Sequence, residues 1–140
     1  MTIEYPYKRI LVTGGCGFIG SSYIQNILRY YDDIEVQNID LMTYATSKKT
    51  LELLTEYKNF SHLTLDISKF LEIEGAINSF GPDLIVNFAA ESHVDNSIEG
   101  ALPFMSTNIL GVFNLLEISK NLISRNDKKF LFHQISTDEV

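Results

Sequence analysis

The chain has 140 residues, and its 45% hydrophobic and 21% charged residues are the composition of an ordinary globular domain. Its net charge of −7 argues against nucleic acid or an anionic membrane as the main partner, because both favour a basic surface. No apolar run approaches the ~20 residues of a membrane span, the first residues have no signal-peptide core, and the single cysteine allows no internal disulfide. Together these features predict a cytoplasmic location.

Apolar runs of strand length alternate with stretches of helical period. Strands are predicted at Ile10–Val12, Glu35–Asp40, His62–Ile67, Leu84–Ala90 and Lys129–Ser136. The predicted helices are one that carries Ile24, Ile27, Leu28 and Tyr31, then Thr50–Tyr57, then Phe70–Phe80 ended by Gly81 and Pro82, and a long one with a stripe of Val112, Leu115, Leu116, Ser119 and Leu122. This alternation predicts an α/β fold with one doubly wound parallel sheet of five strands in the order 3-2-1-4-5.

The segment between the first strand and the first helix contains two overlapping glycine patterns. Gly15, Gly17 and Gly20 fit G-x-G-x-x-G, and Gly14, Gly17 and Gly20 fit G-x-x-G-x-x-G. Glycines here permit a sharp turn and a close approach of backbone to a pyrophosphate, which the N-terminus of the helix attracts. The alternative is a tight turn that binds nothing.

Asp40 decides between these interpretations, because it lies 20 residues after Gly20 at the end of the second predicted strand. This is the offset of an acidic residue in dinucleotide-binding, Rossmann-type folds. Its carboxylate can accept hydrogen bonds from the adenosine ribose hydroxyls and would repel a 2′-phosphate. The pair of features predicts NAD rather than NADP.

Cys16 lies among the glycines near a helix N-terminus, a position that can activate a thiol. We expect it instead to be a small residue that fills a small space, since no histidine or second cysteine is near it in the sequence.

Several further segments carry a resemblance to a known family. "VTGGCGFIG" resembles the glycine loop of the extended short-chain dehydrogenases. "NIDLMTYA", "NFAAESHVDNSI", "TNILGVFNLLE" and "ISTDEV" are similar to one branch of them, the dTDP-glucose 4,6-dehydratases, and "AAESHVD" and "STDEV" are the specific parts. UDP-glucose 4,6-dehydratases share "STDEV" closely, and related UDP-sugar epimerases share the glycine loop.

The resemblance implies NAD as cofactor, no metal, and a set of cofactor-binding residues. These are Gly14, Gly17, Phe18, Ile19 and Gly20 at the pyrophosphate, Asp40, Leu41, Thr43 and Ala45 at the adenosine ribose, Asp66 and Ile67 at adenine, Ala89, Ala90 and Glu91 toward the nicotinamide half, and Thr107 behind the cofactor. His93 lies in the signature, and we expect it to be a hydrogen-bonded structural residue.

The resemblance also implies catalytic roles for Thr137, Asp138 and Glu139. In this family the sugar C4 is oxidised, water is eliminated across C5 and C6, and C6 is reduced. Asp138 matches the acid that protonates the leaving C6 hydroxyl, Glu139 matches the base that takes the C5 proton, and Thr137 helps to position the C4 oxygen. An elimination needs an acid and a base on neighbouring atoms, which two adjacent carboxyl groups can supply.

The family also uses a Tyr-x-x-x-Lys pair. Every tyrosine lies at or before Tyr57, and none is followed by lysine four residues later in the expected place. We therefore expect residues 1–140 to be the NAD-binding domain of a larger homodimeric enzyme, inactive without its C-terminal strands and substrate domain. A non-catalytic nucleotide-binding module is the alternative.

The long predicted helix also carries Phe104, Ile109 and Phe113 outside its main stripe. A helix that is apolar on more than one face is usually buried on more than one face. This predicts either deep burial within the monomer or, following the resemblance, half of a dimer interface.

Overall fold

The computed structural model describes residues 4–44, 46–91, 100–125 and 129–136. In chain order the elements are β1 (Arg9–Thr13), α1 (Phe18–Tyr30), β2 (Glu35–Ile39), α2 (Lys48–Leu54), β3 (Phe60–Leu63), α3 (Phe70–Phe80), β4 (Leu84–Asn87), α4 (Ala101–Phe104), a π-helical segment (Met105–Gly111), α5 (Val112–Arg125) and β5 (Leu131–Gln134). Strands alternate with helices, as the sequence predicts.

The five strands form one parallel sheet in the order β3-β2-β1-β4-β5, which confirms the predicted topology. β1 is central and pairs with β2 from Arg9 opposite Glu35 to Thr13 opposite Ile39. On its other side it pairs with β4. The chain order reverses between these two neighbours of β1, and in open α/β sheets such a reversal opens a crevice at the carboxyl ends of the strands.

The core has one layer on each face of the sheet, because successive residues of a strand point to opposite faces. Ile10 and Val12 of β1 join a cluster with α1, whereas Leu11 between them joins a cluster with α3 and α5. All three residues are 0% exposed. A strand buried on both faces explains why the strands read as continuous apolar runs.

β2, β3, β4 and β5 all end earlier than predicted, and the difference is largest for β3 and β4. β3 spans Phe60–Leu63 rather than His62–Ile67, and β4 ends at Asn87 rather than Ala90. β3 loses its partner where β2 ends, and Asp66 then forms a turn in which its carboxylate accepts a hydrogen bond from the N–H of Ser68 at 2.8 Å. The apolar residues beyond each strand line the edge of the sheet instead of extending it.

The ends of two helices follow local capping. α2 begins at Lys48 rather than at the predicted Thr50, because the Ser47 hydroxyl accepts a hydrogen bond from the N–H of Thr50 at 3.2 Å. α3 spans Phe70–Phe80 as predicted, and Gly81 ends it in the left-handed conformation at φ 63°. The N–H of Gly81 donates to the carbonyl of Ile77 at 2.8 Å.

α4, the π-helical segment and α5 follow one another without a break from Ala101 to Arg125, and we refer to them together as the long helix. Its buried stripe differs from the predicted one: Leu116 is 47% exposed, whereas Ile118 is 1% exposed. Leu115, Ile118 and Leu122 recur at the spacing of one helical face and pack on the sheet, while Leu116 is turned by about 100° from Leu115.

By length and composition the stretch Ala101–Ser124 of the long helix could cross a membrane, with a mean hydropathy of 1.3 in its most apolar window. The expectation that no segment approaches a membrane span was therefore wrong on this criterion. Only 22% of that window is buried. One face packs on the sheet, and a second apolar face is exposed in the chain.

Candidate functional site

A cleft of about 610 Å³, including its open mouth, lies at the C-terminal edge of the sheet. It is lined by Gly14, Gly17, Ile39, Asp40, Leu41, Thr43, Thr46, Leu65, Asp66, Ile67, Phe88, Ala89, Ala90, Glu91 and Thr107. The ends of β1, β2, β3 and β4 and the π-helical segment thus contribute to a single site.

Gly14 makes the turn out of β1. Its φ is 70°, and its N–H donates to the carbonyl of Ile39 at 2.9 Å, which ties the turn to the end of β2. A Cβ on Gly14 would lie 2.6 Å from the backbone nitrogen of Ala89. Glycine is therefore required both by the backbone conformation and by the approach of the chain after β4.

The N-terminus of α1 opens beside this turn. Gly17 is its N-cap, in an extended conformation, and no side chain caps the helix. The first N–H groups of a helix have no partner within the helix, and together with the helix dipole they attract an anion. A Cβ on Gly20 would lie 2.5 Å from the carbonyl oxygen of Gly14, so α1 packs directly on the turn.

Asp40 lies beside the glycine loop, directly after β2, and is only 7% exposed. One carboxylate oxygen accepts a hydrogen bond from the N–H of Cys16 at 2.9 Å, and the other accepts from the N–H of Met42 at 2.8 Å. Each oxygen keeps a further acceptor site, because a carboxylate offers about four. Asp40 can thus hold the glycine loop and still accept hydrogen bonds from a ligand.

Cys16 is buried beneath the loop at 1% exposure. Burial, together with the nearby Asp40 carboxylate, raises the pKa of its thiol to about 12. A thiol that stays protonated is a poor nucleophile. This agrees with the expectation of a small residue that fills a small space.

The far wall of the cleft is held by Asn108 of the π-helical segment. Its side-chain oxygen accepts from the N–H of Glu91, and its side-chain nitrogen donates to the carbonyl of Glu91, both at 2.9 Å. The hydroxyl of Tyr44 also donates to the Glu91 carboxylate at 3.3 Å, from the opposite side of the mouth. These contacts fix the segment after β4 relative to the long helix.

The predicted cofactor residues fall into three groups. Gly14, Gly17, Asp40, Leu41, Thr43, Asp66, Ile67, Ala89, Ala90, Glu91 and Thr107 line the cleft. The side chains of Phe18 and Ile19 are 93% and 63% exposed, and Gly20 is buried against the turn. Ala45, His93, Thr137, Asp138 and Glu139 lie outside the described residues.

The sequence reasoning missed Ile39, Thr46, Leu65 and Phe88, which also line the cleft, and Asn38 and Asn108, which support it. Ile39, Leu65 and Phe88 lie in the C-terminal parts of predicted strands, at or just beyond the ends of the observed ones. Their position at the carboxyl edge of a parallel sheet was a usable signal. No motif or spacing in the sequence identifies Asn38 and Asn108 as residues that support the cleft.

Comparison with known proteins gives one family. The family model described as GDP-mannose 4,6 dehydratase matches residues 11–140. The chain is similar to a dTDP-glucose 4,6-dehydratase of Haemophilus influenzae, with 43% identity over 135 residues, covering 94% of this chain and 40% of the relative. A Salmonella typhimurium protein of the same name is 43% identical over 136 residues, covering 94% of this chain and 37% of the relative.

Two solved structures extend the comparison. A dTDP-glucose 4,6-dehydratase of Bacillus anthracis in complex with NAD has a TM-score of 0.80 and 32% identity, over 95% of this chain and 38% of that one. A UDP-Glc/GlcNAc 4-epimerase of Campylobacter jejuni has a TM-score of 0.75 and 28% identity, over 89% of this chain and 36% of that one. The chain spans about two fifths of the length of the curated relatives named above.

Proposed function

The chain belongs to the GDP-mannose 4,6 dehydratase family, and on this premise we propose that residues 1–140 form the NAD-binding part of a dTDP-glucose 4,6-dehydratase. The observation that carries the proposal is the cleft itself. It combines a helix N-terminus without a side-chain cap and the buried Asp40 carboxylate. Relatives with this name are about 40% identical to nearly the whole chain.

The residues of the cleft fit a dinucleotide. A Cβ at Gly14 or Gly20 would meet backbone at 2.6 or 2.5 Å, so the turn leaves the helix N-terminus open to the pyrophosphate. Asp40 and its neighbours Leu41, Thr43 and Ala45 would hold the adenosine ribose. Asp66 and Ile67 would contact adenine, while Ala89, Ala90, Glu91 and Thr107 would run along the nicotinamide half.

The Asp40 carboxylate supports NAD over NADP. A 2′-phosphate would be placed beside a carboxylate that is 7% exposed and poorly screened by solvent. Calorimetric titration of the chain with both dinucleotides tests this proposal. We expect NAD to bind at least tenfold more tightly than NADP, and equal affinities would refute the role of Asp40.

In the proposed reaction, NAD held in the cleft between the helix N-terminus and Asp40 would supply the hydride acceptor for the sugar C4 and, once reduced, the hydride donor for C6. Asp138 donates a proton to the leaving C6 hydroxyl, and Glu139 removes the proton from C5, which oxidation at C4 has made acidic. Thr137 positions the C4 oxygen. Loss of a positioned acid or base costs about 10²–10⁴ in rate, so Asp138→Asn and Glu139→Gln should slow the elimination and spare the first hydride transfer.

This division of roles is tested by the absorbance of reduced cofactor during reaction with dTDP-glucose, in an enzyme that joins this chain to the C-terminal part of a full-length relative. The Asp138 and Glu139 variants should accumulate NADH, whereas Thr137→Val should form it slowly. Carboxylate variants that fail to reduce NAD would contradict the assignment. We expect no turnover from the 140-residue chain alone, because no tyrosine follows "STDEV", where the family's Tyr-x-x-x-Lys pair is expected. Tyr44 and Lys48 have that spacing but lie far ahead of it.

A UDP-sugar 4-epimerase is the second candidate, supported by the likeness to the Campylobacter jejuni epimerase. An epimerase oxidises C4 but eliminates no water, so it would not use the acid and base pair of Asp138 and Glu139. Formation of a 4-keto-6-deoxy sugar from dTDP-glucose favours the dehydratase. Inversion at C4 of a UDP-sugar without loss of water favours the epimerase, and binding of NAD without either reaction favours a non-catalytic module.

The exposed face of the long helix supports a homodimer as part of the same proposal. Leu102, Met105, Ile109, Phe113, Leu116 and Ile123 are between 47% and 77% exposed. The first five follow one another at intervals of three or four residues, and Ile123 follows Leu116 by seven, which places them along one side of a helix. An apolar stripe of this length is uncommon on a monomer surface and is typical of an interface between helices.

A further inference from the structure

The side chain of Asn38, on β2, links the glycine loop to the sheet. The residue is 0% exposed, and its side-chain oxygen accepts a hydrogen bond from the N–H of Gly15 at 2.9 Å. A Cβ on Gly15 would lie 2.3 Å from that oxygen, so the amide fills the space that the glycine leaves. The loop and this amide are therefore matched to each other in shape and in hydrogen bonding.

The orientation of the Asn38 amide follows from its partners. Because the N–H of Gly15 can only donate, the oxygen of Asn38 must face it, and the side-chain NH₂ faces the other way. That NH₂ lies 3.3 Å from the Cys16 sulfur and 3.1 Å from Nδ1 of His62 on β3. Nδ1 of His62 must then accept, and the proton on Nε2 is donated to the Thr64 hydroxyl at 3.1 Å.

We propose that Asn38 is a positioning residue that holds the glycine loop in its dinucleotide-binding geometry, and that neutral His62 fixes the orientation of the Asn38 amide. The inference rests on the proposed function, because it concerns the loop at the pyrophosphate. It predicts that dinucleotide affinity depends on the protonation of a histidine that does not line the cleft.

Protonation of His62 puts a donor on both ring nitrogens, so Nδ1–H would face the NH₂ of Asn38. The amide can satisfy Nδ1–H only by turning its oxygen away from Gly15, and the loop then loses its acceptor. Burial lowers the pKa of His62, and the Asp40 carboxylate opposes this shift. In the described part of the chain, Asp40 acts on His62 and Cys16, whose thiol stays neutral, contacts Asn38. Lys48 and Glu52 of α2 line a pocket together with Thr64 and are the charged groups on that side.

The test is the affinity of the chain for NAD and for ADP between about pH 5 and pH 8, with matched histidine variants. One hydrogen bond to a backbone N–H corresponds to about 3- to 10-fold in affinity, so binding should weaken by that factor as His62 protonates. His62→Asn keeps an acceptor for Asn38 without a titrating proton and should remove this dependence. The variant His133→Asn, at an exposed position of β5, should show the same pH dependence of NAD affinity as the unmodified chain. Asn38→Ala should bind weakly at every pH.

A second readout needs no ligand. The amide resonance of Gly15 should follow the titration of His62 in the unmodified chain and stay constant in His62→Asn. A Gly15 resonance that ignores the titration of His62 would overturn the inference, as would tighter NAD binding at low pH, which would mean that charge attraction to the pyrophosphate dominates. Failure to bind NAD at pH 8 with a responsive Gly15 resonance would refute the proposed function and leave the positioning role supported.

Discussion

Replacing Gly14 by alanine tests how strongly the turn after β1 requires a glycine. Two costs are expected. The left-handed conformation at φ 70° costs a non-glycine residue about 1–2 kcal/mol. The new Cβ would also lie 2.6–2.7 Å from the backbone of Phe88 and Ala89, and the resulting separation of the β1 and β4 ends adds about 1–3 kcal/mol. The free energy of unfolding should therefore fall by roughly 2–5 kcal/mol, out of a typical total of about 5–15 kcal/mol.

Two other glycines separate these costs. Gly81 has a similar positive φ, 63°, but open space around its missing Cβ, so Gly81→Ala should cost only the conformational part, about 1–2 kcal/mol. Gly75 lies inside α3 with nothing within 4 Å, and Gly75→Ala should stabilise the chain by about 0.5–1 kcal/mol. Urea unfolding followed by circular dichroism measures all three. The reasoning is refuted if Gly14→Ala costs no more than Gly81→Ala.

Three further outcomes are expected. Asp40→Ala should weaken NAD binding about 10–100-fold in calorimetry, because charge-assisted hydrogen bonds of about 1.5–3 kcal/mol each are lost, and NADP should gain relative to NAD. If the proposed homodimer forms in an enzyme that joins this chain to the C-terminal part of a relative, Phe113→Glu should weaken it in sedimentation, whereas Leu71→Glu on α3, 81% exposed, should not. An unchanged dimer would disprove the interface. Because the pKa of His62 is lowered in the folded state, that state binds fewer protons than the unfolded one, so stability should fall as the pH drops below about 6.5. His62→Asn should remove that part of the urea-unfolding pH profile.

The sheet order was predictable because each strand is a short apolar run between helical segments, and few topologies satisfy that alternation. The ends of the strands were not predictable to the residue. Leu65 and Ile67 are as apolar as residues inside a strand, but β2 ends at Ile39 and offers them no partner. The buried stripe of the long helix was partly misjudged, since only the observed packing distinguishes Leu116 from Ile118.

The candidate site also contains residues that were predictable from the sequence and residues that were not. Glycines and Asp40 were visible because their chemistry is tied to a fixed spacing. Asn38 was not visible, because an asparagine inside a strand is ordinary until the residues across the sheet are known. Its importance comes from Gly15 and His62, which lie 23 and 24 residues away along the chain. Contacts between strands that are distant in sequence leave no periodic signal in a single chain.

Successive backbone N–H groups of the glycine loop donate hydrogen bonds to β2 and to the residue that follows it. The N–H of Gly14 donates to the carbonyl of Ile39. The N–H of Gly15 donates to the side chain of Asn38, and that of Cys16 to the carboxylate of Asp40. Three consecutive N–H groups are thus bound to the end of β2 and are not free to hold an anion. Under the proposed function we therefore expect the pyrophosphate at the first turn of α1, on backbone N–H groups beginning at Phe18. Exposed side chains at Phe18 and Ile19 are compatible with that role, because the contact they would make is through the backbone.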